Sequence, residues 1–515
     1  MHHMLPLALG GVSLILYALI SIFRSLFSST RAVPGPFLAR LSNLWYFRRI
    51  YAGKFETDNC ELHKTYGPIV RYGPNRFSFD DPEATKIIFG HGTQFAKSSW
   101  YEAWGIPGQW NLFNEHHIKT HAQHRRLYQG TYSMSSLVHY EPYVDECADL
   151  FSQRLLEVSE AGIPIDMGHW FQCYAFDVIG QITYAERLGF LDRGEDIAGF
   201  ISALDQTFVY SALVGIFPSL HPKLFALANY IEGNSGVGTQ YVSNMTERKI
   251  DQHKAEPKVI PADGDHSLAE PFVSKFLRQN GDDPARFTKY HILHGCNSNM
   301  VAGSDTTAIS LSATLYYLLK NPRCFEKLRA EILEFQEQGK LSKSPTFKES
   351  QDMPYLQAVI KEALRMHPAT GLPLERVVPE GGATISGTFF PEGTIVSVNT
   401  WVQHRNRGVF GADADSFNPE RWLSKDADRI SLMNRYWMPF GLGSRTCIGR
   451  HISMLEMCKL IPRIVRDFDF QLEGSIARAD VSWKTTAFWF VKPRDFNVRV
   501  NPRQDVAYTE KTVAV

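Results

Sequence analysis

The sequence predicts a mainly α-helical protein with small β-sheets, built as one large domain behind an apolar N-terminal helix. Three observations predict this fold class. Apolar residues recur at three-to-four spacing through most of the 515-residue chain, which is the pattern of amphipathic helices. Alternation typical of strands is confined to short pieces. An uncharged run near the N-terminus is long enough to cross a bilayer.

The uncharged run extends from Leu5 to Phe23, close to the roughly 20 residues of a membrane-spanning helix. A cleaved signal peptide is the alternative. The run is long for a signal peptide, no basic segment precedes it and no small-residue cleavage site follows, which favours a retained anchor. Arg24 and Arg31 follow the run, so the positive-inside rule places the rest of the chain in the cytosol. We expect an anchor over residues 1–30 and one domain over residues 31–515.

After the anchor, Val33-Pro34-Gly35-Pro36 predicts a stiff elbow, because each proline fixes its φ and disfavours helix before it. Helical periodicity then dominates. It is clearest in Pro142 to Ser159, Phe171 to Leu188, Ile197 to Phe208, Val237 to Lys254, Lys289 to Lys320, Pro322 to Gln338 and Met353 to Met366. The predicted strands are Ile69 to Tyr72, Arg76 to Phe79, Thr384 to Ile385, Ile395 to Asn399 and Phe488 to Val491. Lys254 to Gly264 is predicted to be a surface loop, and the chain from about Arg503 to be frayed.

Composition argues against nucleic-acid binding, against zinc binding and against a secreted, disulfide-bonded protein. Lys and Arg together number 54, as do Asp and Glu, so the chain has no net field to gather nucleic acid. The seven cysteines include no C-x-x-C pair, which argues against a zinc site and against a secreted disulfide framework. A reducing compartment is therefore expected.

The run from Phe440 to Gly449 isolates one cysteine, Cys447, among glycines and leads into a helical stretch. The glycines allow tight turns and close approach to a flat ligand. A helix N-terminus and the neighbouring Arg445 favour a thiolate, which is the ligand that an iron porphyrin takes on one face. A lone cysteine is more often a small buried apolar residue, and we assign that role to the other six.

A second pattern lies in the middle of the helical stretch from Lys289 to Lys320. Residues 302–307 read Ala-Gly-Ser-Asp-Thr-Thr, whose side chains compete for backbone hydrogen bonds and predict a kink or π-bulge. Such a distortion opens a groove for dioxygen and water, where Asp305 can relay protons and the Thr306 hydroxyl can hold the oxygen species. A helix cap or a packing kink is the alternative.

Glu362 and Arg365 lie three apart on one predicted helix face, a spacing that alone indicates only a surface ion pair. Phe417 to Trp422 follows at a suitable distance. Together with the cysteine loop and the Asp305–Thr306 pair, these stretches resemble the cytochrome P450 family from the proline elbow to about residue 500. The chain is most similar to the membrane-bound eukaryotic class and, in texture, to fungal secondary-metabolite oxidases of the pisatin demethylase group.

The resemblance implies a haem-thiolate catalytic domain that carries haem b on Cys447, with Phe440 packed over the sulfur. Glu362, Arg365 and Arg421 would form a buried triad that holds the cysteine loop. Partners for the two haem propionates would come from His121, Arg125, Arg376 and Arg445, where His121 stands in place of the commoner tryptophan. His124 and Arg126 are alternative surface neighbours that the sequence does not separate from them.

The resemblance also implies the partners. Electrons would come from a separate NADPH–cytochrome P450 reductase, and the chain has no nucleotide fingerprint of its own. Arg125, Arg126, Arg450 and Lys459 are candidates for the docking face, with an ordinary solvated patch as the alternative. The expected location is the endoplasmic reticulum membrane. Segments 215–218 and 224–227 are candidates for membrane contact, or else core-facing helix ends.

The implied reaction is a monooxygenation of a lipophilic small molecule by O2, in secondary-metabolite biosynthesis. By analogy the pocket would be lined by Trp100 to Trp104, Ser298, Val301, Ala302, Thr370 to Leu374 and Thr486 to Phe488. The alternative is a haem-thiolate isomerase or a haem sensor without oxidase activity, and the intact Asp305–Thr306 pair weighs against the isomerase.

Overall fold

The computed structural model describes residues 27–232, 238–257 and 269–503. Most of the predicted anchor, the end of the predicted loop at 258–264 and the chain after Arg503 lie outside these residues. In the first half of the chain the α-helices are α1 (Phe37–Leu41), α2 (Asn43–Tyr51), α3 (Phe55–Tyr66), α4 (Pro82–Phe89), α5 (Ile118–Gln129), α6 (Met134–Leu137), α7 (Glu141–Ala161), α8 (Met167–Tyr184), α9 (Phe190–Arg193), α10 (Phe200–Val214), α11 (His221–Glu232) and α12 (Gly238–Ala255).

The second half continues the helical architecture. Its α-helices are α13 (Phe272–Asp282), α14 (Lys289–Gly303), α15 (Asp305–Lys320), α16 (Pro322–Glu337), α17 (Phe347–Gln351), α18 (Pro354–Met366), α19 (Thr400–Gln403), α20 (Arg407–Phe410), α21 (Ala427–Tyr436) and α22 (Arg450–Asp467). The predicted mainly helical fold class is confirmed.

The strands form small sheets at the edge of the helical body. They are β1 (Ile69–Gly73), β2 (Arg76–Phe79), β3 (Ala96–Lys97), β4 (Ile165–Asp166), β5 (Leu374–Val377), β6 (Ala383–Ile385), β7 (Thr388–Phe390), β8 (Ile395–Val398), β9 (Phe468–Leu472), β10 (Lys484–Phe488), β11 (Phe490–Arg494) and β12 (Asn497–Pro502). The largest sheet has the order β1-β2-β8-β5-β3, with β2 and β8 parallel and the other neighbours antiparallel. Its register places Lys97 opposite Arg376, which matters for the site.

The core is centred on α15, which packs against α8, α18 and α22. Its apolar side chains, such as Leu311 and Leu315, are fully buried. The helix also buries Ser310, Ser312 and Thr314, because each hydroxyl donates to the carbonyl four residues earlier at 2.7–2.8 Å. That local bond satisfies the hydroxyl without a partner from another element. A helix whose sequence contains polar residues can therefore lie at the centre of the molecule.

The predicted helix from Lys289 to Lys320 is broken at Ser304, as the kink prediction required. α14 ends at Gly303 and α15 begins at Asp305. The Ser304 hydroxyl donates to the Met300 carbonyl at 3.2 Å and that of Thr306 to the Ala302 carbonyl at 2.8 Å. These bonds compete with the helical ladder at the break.

Other predicted boundaries are also wrong, since the helix predicted to end at Phe208 continues to Val214. The helix predicted to reach Leu188 ends at Tyr184, because the buried Asp177 carboxylate accepts the backbone N–H groups of residues 188–191 and starts the next turn there. The predicted strand Phe488 to Val491 spans a hairpin: β10 ends at Phe488, Trp489 has φ 88°, and β11 begins at Phe490. At the start of the predicted surface loop, Lys254 and Ala255 still belong to α12.

The Glu362 carboxylate lies fully buried at the centre of a brace. Arg365 donates to both of its oxygens, at 2.9 and 2.8 Å, and Arg421 Nε donates to Oε1 at 2.9 Å. The indole N–H of Trp422 and the backbone N–H of Asn418 complete the shell, each at 2.9 Å. The triad expected from the resemblance is therefore assembled.

The brace reaches the cysteine loop through His404. Arg365 Nη1 donates to the His404 carbonyl at 2.8 Å, and His404 Nδ1 lies 3.1 Å from the Arg365 carbonyl. On the other side of the ring, Nε2 accepts the backbone N–H of Met438 at 2.8 Å. Burial holds the pKa of His404 well below its ordinary value, so the ring is neutral and can accept. Met438 lies two residues before the loop that carries Cys447.

We expect Glu362→Ala to lower the free energy of unfolding by about 3–5 kcal/mol, because it leaves the buried Arg365 guanidinium without its counter-charge and leaves Arg421 with only the partly exposed Asp413. Urea unfolding followed by circular dichroism measures the loss. Glu337→Ala, at an exposed position of α16, is the control and should change stability by less than about 0.5 kcal/mol. Equal stability of the two variants would show that the brace carries no energetic constraint.

Candidate functional site

A cavity of about 400 Å³ lies between the break in α14–α15 and the cysteine loop. Among its lining residues are Cys447 and Phe440 from the loop and Ala302 and Thr306 from the helices. Cys447 is the one cysteine among these lining residues in the described part of the chain. Two sequence motifs about 140 residues apart therefore face one space.

The loop before α22 presents the Cys447 sulfur to the cavity. The Cys447 N–H donates to the Phe440 carbonyl at 2.8 Å, which closes the turn. Gly443 has φ +64°, and a Cβ there would lie 2.0 Å from the Phe89 carbonyl oxygen, so only glycine fits at this position. Helix α22 begins at Arg450, three residues after Cys447.

The protonation of Cys447 differs from the expectation. Its enclosed setting raises the pKa of the thiol, although the backbone N–H of Gly449 and the charges of Arg125 and Arg450 act in the opposite direction. The expected contribution of Arg445 is replaced by these two other arginines. A metal cation deprotonates a coordinating thiol outright, so a thiolate here fits a metal-bound state.

One side of the cavity is lined by cations. All four residues predicted to hold carboxylates, His121, Arg125, Arg376 and Arg445, lie there. Arg445 Nη1 donates to the Glu115 carbonyl at 2.7 Å and Arg376 Nη1 to the Glu375 carbonyl at 2.8 Å, which fixes both guanidinium groups. No Asp or Glu is among the lining residues within the described ranges. The cations thus lack counter-charges, as a site for two propionates requires.

Lys97 is a further cation at this rim, and sequence reasoning missed it. Its ammonium group donates to the Phe113 carbonyl and lies 4.2 Å from the centre of the Tyr101 ring. Burial and the nearby arginines hold its pKa well below the ordinary value. Only the pairing of β3 with β5 places it beside Arg376, so no local sequence pattern could have found it.

His121 does not add a charge to the rim. Burial, followed by the neighbouring Arg445 and Lys97, lowers its pKa to about 3. The ring is therefore neutral at physiological pH and can only donate or accept a hydrogen bond. The expected convergence of three arginines and a histidine holds in position, and Lys97 adds a further basic group.

On the helix side of the cavity, Thr306 lines the wall and Asp305 does not. The Asp305 carboxylate points away from it, accepts a hydrogen bond from Gln172 and lies 2.8 Å from Lys492 Nζ. Lys492 also contacts Asp205 of α10. Burial raises the pKa of Asp305, and the Lys492 charge limits that rise.

The cavity wall differs in part from the predicted one. Tyr101, Trp104, Ser298, Val301, Ala302, Thr370 and Leu374 line it as expected. Trp100, residues 371–373 and Thr486 to Phe488 are not among the lining residues. Because the hairpin turns at Trp489, that residue and Phe490 take the place of the predicted strand, and their position follows from the turn rather than from local periodicity.

The predicted docking face also needs correction. Lys459 is buried and forms ion pairs with Glu141 at 2.8 Å and Asp145 at 3.0 Å, so it holds α22 against α7 and faces no partner. Arg125 lines the cavity. Of the four candidates, Arg126 is exposed and Arg450 partly exposed.

Comparison with known proteins agrees with this fold and site. The family model described as Cytochrome P450 matches residues 33–488. A pisatin demethylase of Fusarium vanettenii is 38% identical over 494 residues, covering 96% of this chain and 93% of that protein. A cytochrome P450 monooxygenase of Aspergillus terreus is 36% identical, covering 90% and 94%. The cytochrome P450 monooxygenase cicH of Emericella nidulans is 38% identical, covering 92% and 94%.

The helical fold, the cysteine loop and the cationic rim define an oxidoreductase of the haem-thiolate class. The chain belongs to the cytochrome P450 family and is a P450 monooxygenase. The family carries a haem whose iron is ligated by a cysteine thiolate, and it uses dioxygen, a redox partner and a small-molecule substrate.

We expect Lys492→Met to make the free energy of unfolding depend more strongly on pH. Burial already raises the pKa of Asp305 above its value in the unfolded chain, so stability falls as pH rises through the interval between those two values. Without Lys492 the folded pKa rises further and the interval extends to higher pH. The stability deficit relative to the unmodified protein should therefore be larger at about pH 8 than at about pH 5.5, by about 1.4 kcal/mol for each added unit of pKa.

Urea unfolding at the two pH values measures this difference. Lys492→Arg keeps the cation and is the matched control, for which we expect little pH dependence of the deficit. A deficit of the same size at both pH values in Lys492→Met would mean that the Asp305 carboxyl does not respond to this charge.

Proposed function

We propose that this P450 monooxygenase inserts one oxygen atom from O2 into a lipophilic small molecule of secondary metabolism. Its haem b would be held by Cys447, and its electrons would come from NADPH through a separate reductase. The observation that carries the proposal is the joint presence of Cys447, Thr306 and an unneutralised cationic rim on one cavity. The relative named pisatin demethylase acts on pisatin, which supports a small-molecule substrate for this chain.

The residues present fit a haem. Cys447 offers the thiolate, Phe440 lines the cavity beside it, and Arg125, Arg376, Arg445 and Lys97 offer charge to two carboxylates. His121 would donate a neutral hydrogen bond to one of them. When bound, haem with a thiolate ligand supplies the activation of dioxygen.

Thr306 and Asp305 would control protons on the helix side. The Thr306 hydroxyl donates to the Ala302 carbonyl in this structure, and its lone pairs remain free to hold a water in the groove at the helix break. Gly303 lets the helix pack closely against Ile179 of α8, since a Cβ there would lie 2.9 Å from its side chain. Asp305 would deliver protons from the side of Gln172 and Lys492, after its carboxylate turns from the ion pair.

The reductase would dock near the N-terminal end of α22, where Arg126 is exposed and Arg450 partly exposed. These two cations fit an acidic partner surface.

Arg126→Glu should therefore slow the reduction of the haem iron by the reductase, and the slowing should be greater at low salt than at high salt. Salt screens the attraction between exposed charges, so the loss of that attraction matters less at high salt. Lys223→Glu on α11 is the matched surface control.

Residues 1–30 would anchor the protein in the endoplasmic reticulum membrane, with the domain over residues 31–515 in the cytosol. Exposed apolar side chains on α11 support contact with a lipid surface, among them Leu227, Tyr230 and Ile231. One described helical run, 197–214, is long and apolar enough to cross a bilayer, but its residues Leu204 and Phe208 line the cavity, so it is a core helix. The full chain should stay with membranes after alkaline carbonate extraction, and release into the supernatant would contradict the anchor.

Thr306→Ala tests the reaction class. We expect the variant to consume NADPH in the presence of the reductase and to release hydrogen peroxide in place of product, since the hydroxyl that directs protons is gone. The ratio of peroxide formed to NADPH consumed measures this uncoupling. Cys447→Ala is the control and should lose both the thiolate spectrum of the haem and the reductase-dependent consumption.

A haem sensor or an isomerase would behave differently from a monooxygenase in this assay. Either one would show no NADPH consumption that depends on the reductase, in the unmodified protein or in Thr306→Ala. That outcome would overturn the proposed function.

A further inference from the structure

Ser298 differs from neighbouring hydroxyl residues of the same helical run. The hydroxyl groups of Ser304, Thr306 and Ser310 each donate to the carbonyl four residues earlier. The Ser298 hydroxyl instead contacts the ring of His294, with 3.2 Å between Oγ and Nδ1 and 3.4 Å between Oγ and Nε2. Ser298 and His294 both line the cavity. The direction of this one hydrogen bond decides what the hydroxyl offers to a ligand.

The network around His294 fixes that direction. The backbone N–H of Leu112 donates to His294 Nε2 at 3.2 Å, so this nitrogen carries no proton. Burial lowers the pKa of His294 to about 3, so the ring is neutral and its single proton lies on Nδ1. Nδ1–H therefore donates to Ser298 Oγ. The remaining contact of the hydroxyl, 3.4 Å to Nε2, is longer, and that nitrogen already accepts the Leu112 N–H, so the Ser298 proton can turn to a ligand in the cavity.

The loop that holds His294 also carries part of an aromatic wall. Phe113 follows Leu112, and its ring lies 5.6 Å from Trp104 and 5.5 Å from Trp489, centre to centre. Phe208 completes the wall at 6.0 Å from Trp104. All four side chains line the cavity. Such a wall favours planar aromatic ligands, which stack or pack edge-on with a gain beyond simple burial.

The helix sets the distance between the free hydroxyl and the site of oxidation. Ser298, Ala302 and Thr306 are four residues apart and lie along one helix face. At 1.5 Å per residue, Ser298 lies about 12 Å along the axis from Thr306. A ligand that accepts from Ser298 therefore presents its opposite end to the groove beside Thr306.

We propose that Ser298 is a specificity residue that donates a hydrogen bond to an acceptor oxygen of a planar aromatic substrate, and that His294 is its positioning residue. The acceptor is a carbonyl or ether oxygen at the end of the molecule remote from the oxidised carbon. This inference rests on the proposed function and specifies its substrate class.

The test compares 9-fluorenone with fluorene, which have the same ring frame and differ in the carbonyl oxygen. Both are titrated into the haem-loaded full-length enzyme, and the dissociation constants come from the haem absorbance change. One neutral hydrogen bond predicts that the ketone binds roughly 2- to 10-fold more tightly. Water solvates the ketone better, so a pocket without a donor would favour the hydrocarbon.

Variants separate the proposed roles. Ser298→Ala should abolish the preference for the ketone and Ser298→Thr should keep it. His294→Phe should also abolish the preference for the ketone, because the Ser298 hydroxyl then turns to the carbonyl of residue 294. If His294 had only a structural role, its replacement would weaken the binding of 9-fluorenone and of fluorene equally. Ser310→Ala removes a cavity-lining hydroxyl that is already bonded to the Thr306 carbonyl, and the preference should survive. The preference should not change between about pH 6 and about pH 8, since His294 stays neutral there.

Equal binding of the two probes, a preference that survives in Ser298→Ala, or absence of any absorbance change with either probe would overturn the inference. Tighter binding of the aliphatic ketone cyclododecanone than of 9-fluorenone would overturn its aromatic part. Failure of the proposed function is distinguishable, because the protein would then show no reductase-dependent consumption of NADPH, a quantity that the binding titrations do not involve.

Discussion

The buried carboxylate of Glu362 is the interaction on which the geometry of the site depends. A charge with no access to water is tolerated only where every oxygen lone pair is used, and here two arginines, an indole and a backbone N–H use them. Each donor comes with its own segment of chain. The carboxylate thus fixes α18 and the segment from Asn418 to Trp422 relative to one another, whatever its net contribution to stability.

His404 transmits that constraint to the cysteine loop. The ring is held between the Arg365 carbonyl and the Met438 N–H, and it can serve both only as the neutral tautomer with its proton on Nδ1. Burial keeps it neutral, so the same low-polarity surroundings that make Glu362 dependent on its partners also preserve the His404 link. The position of Cys447 is therefore set by a chain of contacts that begins about 80 residues earlier.

Residues whose function is local could be predicted from the sequence, and residues brought in by tertiary pairing could not. The glycine loop, the break at Ser304 and the Glu362–Arg365 spacing each depend on neighbours within a few positions. Lys97 and Lys492 reach the site through the pairing of β3 with β5 and through the β10–β11 hairpin. Lys459 is the converse case. The sequence predicts a basic residue at the surface, but Lys459 is buried and forms ion pairs with acidic residues of α7.

Helix geometry explains why the acid and the alcohol of one motif face different surroundings. Successive residues of an α-helix point about 100° apart, so Asp305 and Thr306 can face different surroundings. Thr306 faces it, and Asp305 meets Lys492 behind the helix. Lys492 also contacts Asp205 on α10, the helix that contributes Leu204 and Phe208 to the cavity wall. Any displacement of α10 therefore changes the charge beside Asp305.

The distribution of charge in the cavity restricts what can bind. Cations gather at the rim that faces Lys97 and Arg445, where two haem carboxylates would neutralise them. Near Ser298 the ring of His294 is neutral, and no Asp or Glu lines the cavity in the described part of the chain. A cationic substrate placed there would lose its hydration without gaining a counter-charge, which costs several kcal/mol. The cavity therefore disfavours a cationic substrate, and its basic side chains fit the carboxylates of the cofactor.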